Sequence, residues 1–290
     1  MKNLFRISVV ILLILSIFLI HSCKKDKPIP PIITTTAITS ITQTTAISGG
    51  NITDDKGGLV TARGVCWSTA VNPVTSDSNI SKFSIDGSGT GIFTSTLIGL
   101  IGNTIYYVRA YATNSADIGY GNQVSFTTAL GPGDSYQGGR IAYILQPGDP
   151  GYVIGETYGL IAASSDQGSA EWGCIGTAIS GADGKAIGTG NQNTIYIMNS
   201  CPTAGIAARL CGDLVLGGYS DWYLPSKDEL MKLHLNQAAI GGFTCETIYW
   251  SSSEFSDDYA WFLFFGCSHY QGEAGYYKTQ QYNVRAVRAF

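Results

Sequence analysis

Between residues 33 and 128 the chain has no helical periodicity. It reads instead as short β-branched or aromatic runs: TTTAITSI, TTAISGGNI, TARGVCWST, GIFTSTLIGL, TIYYVRAYATN and NQVSFTT. They alternate with period two and are separated by Gly, Asn and Asp turns, and about seven such runs in some 100 residues specify a two-sheet sandwich. Composition agrees: 13% charged residues and 36 glycines in 290 residues, against averages of about 25% and 7%, favour short strands and turns over long solvated helices.

Lys2 and Arg6 precede the apolar run Ile7–Ile20. Its 14 residues fall short of the about 20 needed to span a bilayer and have the form of a secretory signal peptide. The run ends Ile20-His21-Ser22-Cys23, which resembles a bacterial lipobox, with His21 departing from the usual small residue. This implies a signal peptide over 1–22, lipidation of Cys23 and a charged, proline-rich tether over 23–32. No acidic residue directly follows Cys23, so the expected location is the outer membrane, lipid-anchored and surface-exposed. Removing the leader takes the formal net charge from −4 to −6, and a basic footprint for nucleic acid is absent. Beyond Cys23 the cysteines are Cys66, Cys174, Cys201, Cys211, Cys245 and Cys267. An exported location permits disulfides, but the spacing does not choose the pairing, and with no C-x-x-C a thioredoxin or zinc-ribbon chemistry is not expected.

Gly99 to Ala110, GLIGNTIYYVRA, resembles the tyrosine-corner segment of fibronectin type III domains, with Tyr106 as the corner tyrosine and Gly102 where many members carry proline. The 33–128 domain is therefore expected to be a fibronectin-III-like sandwich acting as a spacer, with Cys66-Trp67 in a core strand.

Residues 129–137 are breaker-rich and read as a linker, and a second domain is expected over 138–290. Gly138–Leu145 reads as its opening strand and Asn283–Phe290 as its closing one. Helical patterns run from Ala204 to Leu214 and from Ser226 to Ile240, the latter opened by a Ser226/Glu229 capping box and stopped by Gly241-Gly242. The words DWYLPS-x-x-EL (Asp221–Leu230), YWSSSE (Tyr249–Glu254), Ala260-Trp261 and VR-x-VR (Val284–Arg288) closely resemble the Lcl C-terminal domain family. That resemblance implies an α+β C-type-lectin-like domain whose two chain ends pair as adjacent strands.

Calcium-dependent sugar binding is not implied, because the tripeptide that carries it in animal C-type lectins is missing. The stretch Asp183-Gly184 to Asn191–Thr194 offers oxygens but reads as polar turn structure, so no metal or cofactor is expected. Enzymes with this broad fold use a cysteine pair, for which Cys201 and Cys211 are the candidates. A structural pairing or two buried thiols is the preferred reading of them. His234 has no adjacent acid or nucleophile, and the chain is read as a non-enzyme.

The last forty residues alternate tyrosine with Ser, Asp, His and Gly, with little strand or helix periodicity. Such composition characterises adaptable contact surfaces, since tyrosine supplies large amphipathic area at low entropic cost. Phe255, Ser256, Asp257, Asp258, Tyr259, Ser268, His269, Tyr270, Tyr276 and Tyr277 are the expected contact residues, and Trp250, Trp261 and Phe264 or Phe265 the expected core. The layout also resembles variable proteins of diversity-generating retroelements, where randomised adenines turn asparagine codons into Tyr, Ser, Asp, His, Phe, Cys and Gly. Gln271 and Glu273 are not reached by that route. The expected partners are an external protein or glycan and, through the lipid, the membrane.

Overall fold

The computed structural model describes residues 27–77, 81–266 and 273–290. The leader, Cys23, Cys267, Ser268, His269 and Tyr270 lie outside the described residues. The chain divides into two compact units after Thr128, with Ile101–Asn103 grouped with the second.

Unit 1 contains β1 (Ile32–Thr35), β2 (Thr45–Asp54), β3 (Ala62–Ser68), β4 (Lys82–Phe83), β5 (Gly91–Ile98), β6 (Ile105–Thr113), β7 (Ile118–Tyr120) and β8 (Val124–Thr127). They form a sheet β1-β2-β5 and a sheet β4-β3-β6-β7, with β8 also paired to β6. Period-two patterning builds it: in β5, Phe93, Ser95 and Leu97 point inward while Ile92, Thr94, Thr96 and Ile98 do not. Trp67, Phe93, Leu97, Tyr106, Val108 and Phe126 share one core between the sheets, each worth about 1.5–3 kcal/mol of apolar burial for the larger side chains. Cys66 is buried beside the carbonyl oxygens of Pro73 (3.3 Å) and Arg109 (3.4 Å), and burial pushes its thiol up to about 11.

The chain enters unit 1 near one end of β6 and leaves near the other. Asn114, just past β6, donates through Nδ2 to the Ile29 carbonyl (2.7 Å), while Ile105 at the start of β6 faces Thr127, near the exit. The nine residues of β6 separate these ends by about 26 Å at ~3.3 Å per residue.

Unit 2 contains β9 (Ser135–Tyr136), β10 (Gly139–Ile144), β11 (Gly159–Ala162), β12 (Gly168–Ala170), α1 (Gly190–Ser200), α2 (Ala207–Gly212), α3 (Lys227–Leu235), α4 (Gln237–Ile240), β13 (Thr247–Glu254), β14 (Tyr259–Phe265), β15 (Glu273–Tyr277), β16 (Tyr282–Val284) and β17 (Val287–Ala289). The sheets are β17-β11-β10-β9 and β12-β16-β13-β14-β15. Ser135–Tyr136, read as linker, therefore belongs to a sheet.

Two expectations about the framework are corrected. The opening and closing strands are not adjacent, because β11 lies between β10 and β17. The closing segment is also not one strand: it changes sheet at Arg285-Ala286. There the buried Arg285 guanidinium bonds Asp166 (2.7 Å) and the carbonyls of Ala163 and Gly242, and lies 4.0 Å over the Phe243 ring.

The helical readings also shift. The 226–240 pattern divides at Asn236 into α3 and α4, and α2 starts only at Ala207. The stretch read as a polar turn at 190–194 is the first turn of α1, whose sequence Gly-Asn-Gln-Asn-Thr has low helix propensity. Tertiary bonds override it: Thr194 Oγ1 donates to the Gly190 carbonyl (2.8 Å) and accepts from the Leu224 N–H (3.0 Å), while Asn193 Nδ2 donates to the Gly184 carbonyl (2.6 Å). Gly190 is required there, since a Cβ would fall 2.2 Å from Glu229 Oε2.

Candidate functional site

The motif residues of unit 2 build a frame. Asp221 holds Arg288 by two parallel bonds of 2.8 Å, and that pairing holds the Asp221 carboxyl below its ordinary range. Tyr223 and Val287 exchange backbone bonds of 2.8 and 2.9 Å. Ser226 and Glu229 form the capping box of α3. The buried Glu229 carboxylate also accepts from the Gly188 N–H (2.8 Å) and the Tyr223 hydroxyl (3.2 Å), and its burial raises its pKa. Ser251, Ser252 and Ser253 are fully buried: Ser251 donates to the Trp261 carbonyl (2.8 Å) and Ser253 to the Gly184 carbonyl (2.6 Å). Apart from Asp221, whose carboxylate is 56% exposed, these residues face inward, and their polar groups are occupied.

The last strands present what the frame leaves outside. In the β13-β14-β15 ladder, Tyr259 faces Tyr277 and Trp261 faces Gly275. One face of β14 carries Tyr259 and Trp261 at its start and the buried Leu263 and Phe265 further along, where these pack with Leu230, Leu233 and Tyr249. Phe255, 54% exposed, lies edge-on to Trp261 at 5.0 Å and to Tyr259 at 6.4 Å. Its ring occupies the space above Gly275, where a Cβ would come within 2.8 Å of it. Tyr259 and Tyr277 are 4.5 Å apart, and their mutual hydrogen bond raises the Tyr259 phenol above its ordinary value. Lys185 and Lys227 approach the Trp261 ring at 5.0 and 4.8 Å.

A buried polar hub fixes this surface from beneath. Lys278, fully buried, donates through Nζ to Glu254 Oε1 (2.6 Å) and to the carbonyls of Thr177 (2.9 Å) and Asp257 (2.8 Å), 4.7 Å over the Trp172 ring. Its backbone N–H donates to the Asp258 carbonyl (3.0 Å), and the Gly176 N–H to that of Asp257 (3.1 Å). Glu254 also accepts from the Ile179 N–H at 2.9 and 3.0 Å. The Cys174–Cys201 disulfide anchors the 174–179 segment. The 255–258 loop is thus held at the Asp257 and Asp258 carbonyls, and the Ser256 hydroxyl accepts from the Asp258 (3.3 Å) and Tyr259 (3.2 Å) N–H groups within it.

The structure brings Phe255, Tyr259 and Tyr277 together, with Ser256, Asp257 and Asp258 in the adjoining turn. It places Tyr276 on the opposite face, with Phe262 (5.8 Å) and Tyr282 (5.8 Å), because neighbours in a strand alternate. Two expectations fail here. Tyr259–Phe265 and Glu273–Tyr277 pair as a regular antiparallel ladder where little periodicity was legible, and Trp261 is half-buried on the aromatic face, not core; Trp250 and Phe265 are fully buried. Missed altogether were Lys185, Lys227 and Lys278. The legible signal for the last was that Lys278 is the only Lys or Arg between Lys232 and Arg285.

Cys201 and Cys211, read as a structural pairing or two buried thiols, are neither bonded to each other nor both free. Cys201 is bonded to Cys174, while Cys211 is a free, fully buried thiol raised by desolvation; Cys245 is disulfide-bonded. His234 is buried edge-on to Phe265 (5.0 Å), with its pKa lowered by burial. Among the described residues no three His, Cys, Asp or Glu side chains converge as metal ligands, and no helix is long and apolar enough to cross a membrane. Unit 1 has a groove of about 560 Å³ lined by Trp67, Lys82, Phe83, Ser84, Thr96 and Ile98. Lys82 Nζ is engaged with the Gly99 carbonyl (3.0 Å) and Ser84 Oγ with Asp86 (2.7 Å), whereas the buried Trp67 indole N–H has no partner among the described residues.

Residues 183–288 match the Lcl C-terminal domain family. The residues so matched include all the occupied motif positions and the β13–β15 ladder. No curated protein matches the chain. Similar solved structures include the third fibronectin III domain of the human KIAA0343 protein, at 20% identity and TM-score 0.27, covering 40% of this chain and 94% of that one. A human fourth FNIII domain has 17% identity and TM-score 0.29, over 38% and 86%. The sensor domain of the anti-sigma factor RsgI4 in Pseudobacteroides cellulosolvens has 19% identity and TM-score 0.27, over 36% and 100%. Unit 1, by its own strand order, is a fibronectin-III-like sandwich, and unit 2 resembles Lcl C-terminal domains.

Proposed function

We propose that this is a cell-envelope lipoprotein, acylated at Cys23 and displayed at the outer membrane. Unit 1 is its spacer, and unit 2 is a C-type-lectin-like head that binds an external protein or glycan without catalysis. The observation that carries the reading is the cluster Phe255, Tyr259, Trp261 and Tyr277, aromatic and partly or largely exposed on one face of a ladder fixed by the buried Lys278–Glu254 hub. Rigid aromatic anchors surrounded by small polar residues give contact area at low entropic cost. The Lcl C-terminal domain match supports a surface or binding role. Entry and exit at opposite ends of β6 suit unit 1 to a spacer. A disulfide-bonded Cys201 and a buried Cys211 argue against cysteine oxidation chemistry.

The test is to probe protein and glycan arrays, and whole cells, with the full chain and with Phe255→Ala, Trp261→Ala and Tyr277→Ala. A hit weakened at least tenfold by each, with the thermal melt unchanged, supports the surface; roughly tenfold is about 1.4 kcal/mol, modest for an aromatic anchor. Hits indifferent to all three place binding elsewhere.

A retroelement-diversified surface over 255–283 is the finer form of this reading. It is favoured by the division of labour in unit 2: Tyr249–Glu254 and Val284–Arg288 supply buried framework, whereas Phe255, Ser256, Asp257 and Tyr259, all types reached from asparagine codons, stand at its surface. A near-copy of the 3′ coding end differing only at adenines, beside a reverse transcriptase gene, is the expected finding. Without it the head is a fixed adhesin.

A further inference from the structure

Several large apolar side chains of unit 1 stand in solvent at one end of the sandwich: Leu59 is 76% exposed, Ile92 75%, Ile29 55% and Ile32 46%. Their common location follows from the pairing. Ile32 faces Asp54 where β1 meets the end of β2, and Gly91, next to Ile92, faces Ile52. Leu59 sits in the β2–β3 loop between Gly58, where a Cβ would fall 3.0 Å from the Asn114 amide nitrogen, and Val60, whose carbonyl accepts from the Gly89 N–H (3.0 Å). The same Asn114 amide donates to the carbonyls of Ile29 (2.7 Å) and Asp55 (2.9 Å). Glycines surround them: at Gly57, Gly87, Gly89 and Gly91 a Cβ would meet nothing within 4 Å. Leu59 and Ile92 project from a low, open rim.

This is also the end at which the chain enters, and four peptide units separate Cys23 from Lys27, the first described residue. At up to ~3.6 Å per residue that connection reaches at most about 14 Å, roughly twice the ~5–7 Å of one headgroup layer. Resting on the lipoprotein reading, we infer that this rim is a membrane-contact surface: Leu59, Ile92, Ile29 and Ile32 insert into the interface of the bilayer that holds the Cys23 lipid. Apolar side chains seat about 5–10 Å into the headgroup boundary, within the reach of that connection. The charged groups at this end, Lys27, Asp54, Asp55, Lys56, Arg63, Asp86 and Asp117, nearly cancel. The contact is therefore apolar and insensitive to salt. It fixes the long axis of the spacer at the membrane, which a lipid on a free tether does not.

The test uses full-length acylated protein in phosphatidylethanolamine/phosphatidylglycerol vesicles doped with a nitroxide-headgroup lipid. Leu59→Cys and Ile92→Cys carry an exposed bimane label, with Ile105→Cys at the opposite end as reference; the native thiols Cys66 and Cys211 are buried. Labels at 59 and 92 are expected to be quenched about threefold more than at 105, at low and high salt alike, if they sit in the interface. Mass spectrometry of the peptide bearing Cys23 reads acylation separately. Acylated, vesicle-bound protein with equal quenching at all three positions overturns the contact and leaves the lipoprotein reading standing. So does a label at 59 that is shielded from water yet unquenched, which means a second protein covers the rim. An unmodified Cys23 overturns both readings.

Discussion

Replacing Lys278 by Met removes the cation from the hub and leaves Glu254, 9% exposed, without its counter-ion. Breaking a buried pair by deleting one partner costs about 3–5 kcal/mol, because the remaining charge is uncompensated. Spread over a domain of this size, at about 2–4 °C per kcal/mol, the melt of unit 2 is expected to fall by roughly 10 °C. The carbonyls of Thr177 and Asp257 lose their donor as well, so the 255–258 loop loosens even where the fold persists. The second variant, Lys278→Met with Glu254→Gln, restores neutrality and keeps an oxygen for the Ile179 N–H. It is expected to recover at least half of the lost stability, since removing both charges of a buried pair is far milder than removing one. Calorimetry of the full chain reads both. A single-variant shift below about 2 °C, or a double variant no better than the single, refutes the claim that the hub holds the surface.

Cys174→Ser with Cys201→Ser opens a loop with a sequence separation of 27 and is expected to cost about 3.5 kcal/mol in the chain-entropy account, measured by denaturant titration. His234, whose Nδ1 has no partner and whose pKa is lowered by burial, is kept neutral by the fold. The stability this contributes is complete above its unfolded value near 6.5 and is lost as pH falls below it, so His234→Leu is expected to flatten the drop in melting temperature on acidification from pH 7. Asp221, with a depressed pKa, contributes stability present above its unfolded value near 3.8 and lost as pH falls through the folded one. Asp221→Asn is expected to remove that acid limb from pH-dependent melts. Gly275→Ala is expected to push the Phe255 ring aside, reducing array binding with little change in melting temperature.

Much of the fold was legible because binary pattern and turn chemistry agree in unit 1, as in the alternation of β5. The capping box of α3 was legible for the same reason, being local. α1 was not: its Gly, Asn and Thr residues argue against a helix, and only distant partners, Glu229, Leu224 and Gly184, make them fit. The sheet change at Arg285 likewise depends on Asp166, more than a hundred residues away in sequence. At the surface, tyrosine-rich composition pointed to Phe255, Tyr259 and Tyr277. It did not separate Tyr276 from its neighbour, because that requires knowing that both stand in a strand. Trp261 looked like core because tryptophan usually is; its place beside Phe255 and two lysines follows from a register that sequence does not specify.

Hydroxyl-radical footprinting of the full chain with and without a protein or glycan recovered from the arrays tests the central claim most directly, since aromatic side chains report their own burial. Phe255, Trp261 and Tyr277 are expected to lose reactivity several-fold on binding while Tyr158, exposed in unit 2 away from these strands in sequence, keeps it. Protection confined to other residues, with Phe255, Trp261 and Tyr277 unchanged, contradicts the account.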